Sequence, residues 1–383
     1  MERLTATLPT AHQQPAWEDT ALLAQVREEL TDLPGLVTSA EVRRLRTLLA
    51  GVVAGEYQVL QAGDCAEDPT ECTSRHVERK TALLDILADV LMLKSGRPVL
   101  RVGRIAGQFG KPRSQPVEIV GGRQIPVYRG HMVNSPDPDP ELRRPDPKRL
   151  LSGYWAASTA MDAIRARNGT EPTVWTSHEA LLLDYEVPML REDADGVLLS
   201  STHWPWIGER TRQLDGAHVT VLSTVVNPVA CKVGPGMTVD DLLGLCARLD
   251  PNREPGRLTL IARMGSDSVA TRLPRLAGAV REAGHPVIWM CDPMHGNTVQ
   301  LAGGLKTRYV ATVIAEVERF TEVMAREGVV AGGLHLEATP DHVTECVAGP
   351  DHVHEAINGP YTSLCDPRLN VAQAVEVVSA WPE

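Results

Sequence analysis

Apolar residues along this chain fall in short runs, and eight of these runs each end within a few residues on a side chain suited to metal or phosphate chemistry. Run 57–60 leads to Cys65, run 98–102 to Arg104, run 173–175 to His178 and Glu179, and run 197–199 onward to Glu209 and Arg210. Run 229–233 carries Lys232, run 258–261 leads to Arg263, run 287–289 to Asp292 and His295, and run 333–336 to Glu337. Runs of this length read as strands. Between them the spacing turns helical. Residues 18–30 and 40–49 predict two helices split by Leu33-Pro34-Gly35. Thr73 or Ser74 caps a helix that buries Val77, Leu84, Leu87 and Leu91 and stops before Gly96. Thr238 with Asp241 resembles a capping box, Ser266 opens a helix that ends at Gly284, and residues 147–167 read as another helix. The widest gap, 108–172, has the proline and aspartate content of a loop ahead of that last helix.

Strand and helix in alternation imply a parallel sheet. Eight strands that each finish on a chemically useful side chain predict a (β/α)8 barrel, in which all strand ends converge on one face. The α/β reading therefore divides the chain into an N-terminal arm and helices, 1–55, and a catalytic barrel, 56–383. The chain length of 383 residues fits this division, because a plain barrel needs roughly 250 residues.

Composition refines the picture in a few places. Only two Phe are present, so Leu, Val and Ala must fill the core. A net charge of −11 and the lack of any Lys/Arg run exclude a nucleic-acid stripe. No apolar stretch reaches the roughly 18 residues that cross a bilayer, and residues 1–17 lack the pattern of a signal peptide, which predicts a cytoplasmic protein with no membrane partner. Seven scattered Cys argue against a disulfide framework.

Cys65, His295, Glu337 and Asp366 supply a thiolate, an imidazole and two carboxylates, a mixed shell suited to Mn²⁺, Co²⁺, Fe²⁺ or Zn²⁺. Each alone has a structural explanation, as a small core residue, a turn former or a helix-start carboxylate. Arg104, Arg210, Lys232 and Arg263 are cations expected at strand ends, where forked contacts can clamp a phosphate. Lys111, Arg113 and Ser114 beside Gly110 form a second phosphate-sized cluster. One solvated cation is unremarkable, but six cations with Ser114 predict two phosphate sites.

Several longer segments resemble the class II 3-deoxy-D-arabino-heptulosonate 7-phosphate (DAHP) synthases. They are Gln61-Ala62-Gly63-Asp64-Cys65-Ala66-Glu67, Arg104-Ile105-Ala106-Gly107-Gln108 with Lys111-Pro112-Arg113-Ser114, and Trp206-Ile207-Gly208-Glu209-Arg210-Thr211-Arg212. Asn227-Pro228, Lys232-Val233-Gly234-Pro235, Cys291-Asp292-Pro293-Met294-His295-Gly296-Asn297, His335-Leu336-Glu337 and Cys365-Asp366-Pro367-Arg368-Leu369-Asn370 extend the likeness from about Gln13 to the C-terminus. The resemblance implies a metal-dependent condensation of phosphoenolpyruvate (PEP) with erythrose 4-phosphate, the first step of the shikimate pathway. It implies that Cys65, His295, Glu337 and Asp366 hold the metal, with Mn²⁺ expected and Co²⁺ the alternative. By the same likeness Arg104, Trp206, Glu209, Arg210, Lys232 and Arg263 hold PEP, with Lys232, Glu209, Arg263 and His295 in catalytic roles. Lys111, Arg113 and Ser114 are implied to hold the sugar phosphate, and the assembly to be a homo-oligomer with the N-terminal helices as interface elements.

The chain departs from the family pattern in four places. His131 stands after Tyr128-Arg129-Gly130 where Asp is usual, which raises the alternative of a different acceptor such as an amino or imino erythrose phosphate. Ala62 replaces Gly, and Thr339-Pro340 replaces Thr-Gly. The segment 108–172 is too short for the helix pair of feedback-inhibited members, so Phe, Tyr and Trp are expected not to inhibit. A non-catalytic barrel would have eroded its ligands and cations, and here all are present. Cys365 beside Asp366 raises the expectation of a Cys65–Cys365 crosslink when the metal is absent.

Overall fold

The computed structural model describes residues 8–169, 173–194 and 196–383. Two helices precede the sheet, α1 (Thr20–Asp32) and α2 (Ser39–Val53). Asp19 caps α1 by accepting the Leu22 N–H, and Thr38 with Glu41 forms a reciprocal capping box on α2. Then follow β1 (Gln58–Gly63), α3 (Ser74–Ser95), β2 (Val99–Arg104), the hairpin β3 (Val117–Val120) and β4 (Arg123–Pro126), α4 (Lys148–Asn168), β5 (Val174–Thr176) and α5 (Leu183–Glu186). A second hairpin, β6 (Leu190–Asp193) and β7 (Gly196–Leu199), leads to β8 (Trp206–Ile207), α6 (Ala217–Thr224), β9 (Val229–Val233), α7 (Val239–Leu249), β10 (Leu258–Ala262), α8 (Ser266–Glu282) and β11 (Ile288–Cys291). The hairpin β12 (Thr298–Gln300) and β13 (Lys306–Arg308), α9 (Val310–Arg326), β14 (Ala331–Glu337), α10 (Val353–Asn358) and α11 (Val371–Ser379) complete the order.

Eight strands form one parallel sheet in the order β5-β2-β1-β14-β11-β10-β9-β8. A parallel bridge between Glu179 and Trp206 joins its two outer strands, with the Trp206 N–H donating to His178 O at 3.0 Å and the Ala180 N–H to Trp206 O at 3.0 Å. The sheet thus closes into the expected (β/α)8 barrel, which removes its edges.

Two expectations need correction. Run 197–199 is not a wall of the barrel. It pairs antiparallel with β6, and the fourth wall is the two-residue β8, held by Trp204 and Trp206 rather than by an apolar run. Apolar content alone cannot tell a barrel strand from a buried hairpin strand. The gap 108–172 also contains the β3–β4 hairpin, turned by Gly121 and Gly122 at φ 55° and 76°.

The barrel interior is apolar at its N-terminal end. Val59, Val102, Trp175, Ala230, Ile261 and Met290 meet Leu45, Leu49 and Val52 of α2, which plugs the bottom. Gly256, at φ 82°, permits this approach, because a Cβ there would lie 2.4 Å from Arg46 O. A second apolar layer, including Leu60, Leu84, Leu87 and Leu91, fills the space between sheet and helices. Among the described residues no helix is long and apolar enough to cross a membrane.

Candidate active site

The C-terminal ends of the strands open into a cavity of about 540 Å³. Its lining contains every residue expected to bind a substrate: Arg104, Lys111, Arg113, Ser114, Trp206, Glu209, Arg210, Lys232 and Arg263. His295 and Asp366 also line it, whereas Glu337 lies fully buried beneath. Strand register explains the convergence, since β1 to β2 and β1 to β14 pair so that Gly63, Arg104 and Glu337 sit level at the top.

Cations surround Trp206. The Arg104 guanidinium lies 5.3 Å and the Lys232 ammonium 6.0 Å from its ring centroid. Lys232 pairs with Asp292. Burial pushes the Lys232 ammonium down to about 8 against the pull of Asp292, with Arg104 pushing the same way as burial. His335 is fully buried and held neutral by burial first and by Lys232 next. Arg104 Nη1 can only donate to His335 Nε2 at 2.9 Å, so His335 Nδ1 carries the proton given to Gln61 Oε1 at 2.6 Å. Arg263 Nη2 donates to His295 O at 2.8 Å, tying a cation to the loop that bears a donor.

His295, Glu337 and Asp366 each place a donor atom within 4.8 Å of the others. Asp292 Oδ2 lies 2.8 Å from His295 Nδ1 and leaves Nε2 facing Glu337 Oε1 at 3.2 Å, the carboxylate–imidazole support usual for a metal-binding histidine. Burial alone would raise the Glu337 carboxyl, but His295, Lys111, Arg308 and Arg104 hold it well below the usual range. Lys111 Nζ lies 2.8 Å from Asp366 Oδ2 and 3.7 Å from Glu337 Oε1, and Lys306 Nζ lies 2.8 Å from Asp366 Oδ1.

Cys65 stands outside that group of three. Its Sγ accepts the Asp366 N–H at 3.3 Å and lies 3.4 Å from Ser363 Oγ. A hydrogen bond from Cys365 outweighs burial and, with Lys111, brings the Cys65 thiol down to about 6. Both thiols are free. A supported imidazole, two ionised carboxylates and a neighbouring thiol of lowered pKa fit a divalent transition ion.

Further residues join the site in the fold, Glu179 from the strand end already marked in the sequence and the others through tertiary placement. Glu179 lines the cavity with a partly buried carboxyl, one oxygen without a partner, and a pKa raised by burial despite Lys111 and Lys232. Gly208 makes room for it, since a Cβ there would meet Glu179 Oε1 at 2.0 Å. Lys306 lines the cavity, and Arg308 Nη2 lies 2.8 Å from Glu337 Oε2. Strand alternation, which sets both on one face of β13, was the available signal. Glu67 accepts the N–H groups of Ala106, Gly107 and Gln108 at 3.1, 2.9 and 2.9 Å and so shapes the turn after β2. Glu345 accepts from Thr362 N, Ser363 N and Arg368 N and shapes the loop that carries Asp366.

Two residues singled out in the sequence face elsewhere. His178 is buried and bonds Glu186 Oε1 at 2.8 Å. His131 packs edge-on against Tyr128, lies 3.9 Å from Asp68 Oδ2 and is not part of the cavity lining.

The chain matches the model of the Class-II DAHP synthetase family over residues 5–172 and 167–380. It is 53% identical over 378 residues to a probable phospho-2-dehydro-3-deoxyheptonate aldolase of Pseudomonas fluorescens, covering 97% of this chain and 94% of that one. It is 40% identical to the phospho-2-dehydro-3-deoxyheptonate aldolase of Streptomyces coelicolor, over 97% of this chain and 94% of the relative. The same enzyme of Mycolicibacterium smegmatis is 38% identical, over 98% and 93% respectively.

Proposed function

The chain belongs to the class-II DAHP synthetase family, and from that premise we propose that it condenses PEP with erythrose 4-phosphate and water to give DAHP and inorganic phosphate. The observation that carries this reading is a single cavity lined by seven Lys and Arg side chains beside a set of imidazole and carboxylate donors. We assign Cys65, His295, Glu337 and Asp366 as the metal ligands, with Mn²⁺ the expected ion. A bound divalent ion there supplies Lewis acidity toward an aldehyde oxygen.

The residues of the chain do the rest. Arg104, Arg210, Lys232 and Arg263 match the carboxylate and phosphate of PEP, and their fixed geometry turns carbon 3 toward the aldehyde carbon. Lys111, Arg113 and Ser114 hold the sugar phosphate. Carbon 3 attacks the aldehyde, water adds at carbon 2, and phosphate leaves by C–O cleavage. Glu179, partly buried on the cavity wall with Oε1 lacking a partner, accepts a proton from that water in this reading. Glu209, fixed by Arg212 at 2.7 Å, keeps the loop beside Arg210 in place.

Between β2 and β5 the described residues contain one hairpin and one long helix, which supports the absence of inhibition by Phe, Tyr or Trp. The alternative acceptor rested on His131, whose placement outside the lining takes away that support. Initial rates of PEP consumption with erythrose 4-phosphate, after chelation and with single metals restored, test the proposal. Activity should vanish with the metal and return with Mn²⁺ or Co²⁺. Undiminished turnover after exhaustive chelation, or none with any ion, overturns it.

A further inference from the structure

Residues 10–17 cross the face that bears the cavity and bond three successive loops. Thr10 O accepts the Ala217 N–H at 3.4 Å at the start of α6. The Gln14 amide is engaged at both ends on the loop after β5, its Oε1 accepting the Leu183 N–H at 3.0 Å and its Nε2 donating to Leu181 O at 2.8 Å. Trp17 Nε1 donates to Asp184 Oδ2 at 2.8 Å, and Pro15 between them is buried.

Gln13 reaches the loop after β2. Its Oε1 accepts the Arg113 N–H at 2.8 Å and its main-chain oxygen accepts from Arg129 Nη1 at 3.4 Å. The backbone of this segment does not bond Arg113 from within, because Lys111 N–H goes to Arg129 O whereas Arg113 N–H is taken by Gln13. Gln13 also stands at φ 63°, a left-handed conformation that residues with a side chain seldom adopt. The neighbouring contacts of Gln14, Pro15 and Trp17 hold it there. Arg210 Nη2 donates to Ser114 Oγ at 2.7 Å, so the turn that Gln13 fixes is continuous with the next loop of the cavity.

We propose that Gln13 is a positioning residue for the acceptor substrate. By holding the backbone at Arg113 it sets the direction in which Lys111, Arg113 and Ser114 present themselves to a sugar phosphate. Arg104, Lys232 and Arg263 come from strand ends and do not depend on it, and of the PEP cations only Arg210, through Ser114, touches the turn, so the strap acts chiefly on the acceptor. The inference rests on reading Lys111, Arg113 and Ser114 as the sugar-phosphate site.

The test compares Gln13→Met, which keeps length and loses the acceptor, with Gln13→Glu, which keeps an acceptor oxygen. The metal-loaded full chain is used, with KM for each substrate, kcat, Tm and hydrogen exchange of the peptide spanning 110–118 as readouts. Losing one hydrogen bond to the turn should raise KM for erythrose 4-phosphate about tenfold and leave KM for PEP and kcat within about twofold. Exchange at 110–118 should quicken in Gln13→Met and stay near that of the unaltered protein in Gln13→Glu. Unchanged KM for erythrose 4-phosphate, unchanged exchange, or parallel shifts of both KM values with Tm would each overturn the proposal. Should Gln13→Met not fold, Gln13→Asn, which suits the left-handed backbone but falls a methylene short, reads the same quantities. Lys111→Ala separates the two layers. If it leaves KM for erythrose 4-phosphate unchanged, the site reading fails. If it raises that KM and Gln13→Met does not, only the strap inference fails.

Discussion

The two ends of the barrel are made from the same eight strands and obey opposite chemistry. At the N-terminal end Leu45, Leu49 and Val52 of α2 seal an interior of Val59, Val102, Trp175 and Ile261. At the C-terminal end the same strands finish on Arg104, Lys232, Asp292 and Glu337, all nearly or fully buried and all paired with opposite charge. Buried pairs of this kind add little net stability, because desolvation cancels most of their attraction. The apolar end therefore carries stability, and the charged end carries chemistry at a stability cost that the apolar end offsets. The contrast extends to the N-terminal segment, where α2 serves the bottom and residues 10–17 serve the top.

Substitutions at the two ends should accordingly separate. The largest functional effect is expected for His295→Ala, since losing the metal removes several kcal/mol of transition-state stabilisation. Turnover should fall on the order of 1,000-fold while Tm moves little; retained turnover would break the comparison. Leu49→Ala at the opposite end should cost about 2–5 kcal/mol of stability through an unfilled cavity. Its KM values should not change, as denaturant melts alongside kinetics will report. Asp292→Asn keeps every ligand but weakens the support of His295, and metal titration should show affinity down about 10–100-fold.

The pH response follows from Lys232. Burial disfavours its cation and lowers its pKa to about 8, so the charge we assign to PEP binding is present below that value and lost as pH rises through it. In the free enzyme kcat/KM for PEP should fall above pH of about 8 by roughly tenfold per unit. Lys232→Arg should remove that limb, and a limb that persists in Lys232→Arg assigns it to another group. The smallest expected change is a Cys65–Cys365 crosslink in air-exposed, metal-free protein, motivated by two free cysteines that both adjoin Ser363 Oγ and read by mass spectrometry of the linked peptides. An uncrosslinked pair after exhaustive oxidation removes that expectation.

Much of the barrel was legible because its signal is local. Short apolar runs marked seven of the eight walls, and Thr73 and Thr238 sit at N-cap positions, Thr238 accepting the Asp241 N–H whereas the Thr73 side chain makes no cap bond. The eighth wall failed because β8 is only two residues long and β7 offers a better apolar run nearby. The site divided in the same way. Residues embedded in recognisable segments, such as Arg104, Lys232 and His295, were readable, and all reach the cavity. Glu179 was readable as a strand-end carboxylate, whereas Lys306 and Arg308 were not, since each owes its place to a hairpin fixed by distant contacts.

The amino-acid sequence alone determined the alternation of strand and helix, the stock of donors and cations, and the family likeness, because these are properties of neighbours in the chain. Only the tertiary structure decided that Asp292 would steer His295, that Cys65 would hang from the Asp366 amide, that His131 would turn away, and that Gln13 would hold Arg113. Those outcomes depend on which groups meet across 100 residues or more, or on which way a side chain turns once packed. Neither quantity is carried by local spacing.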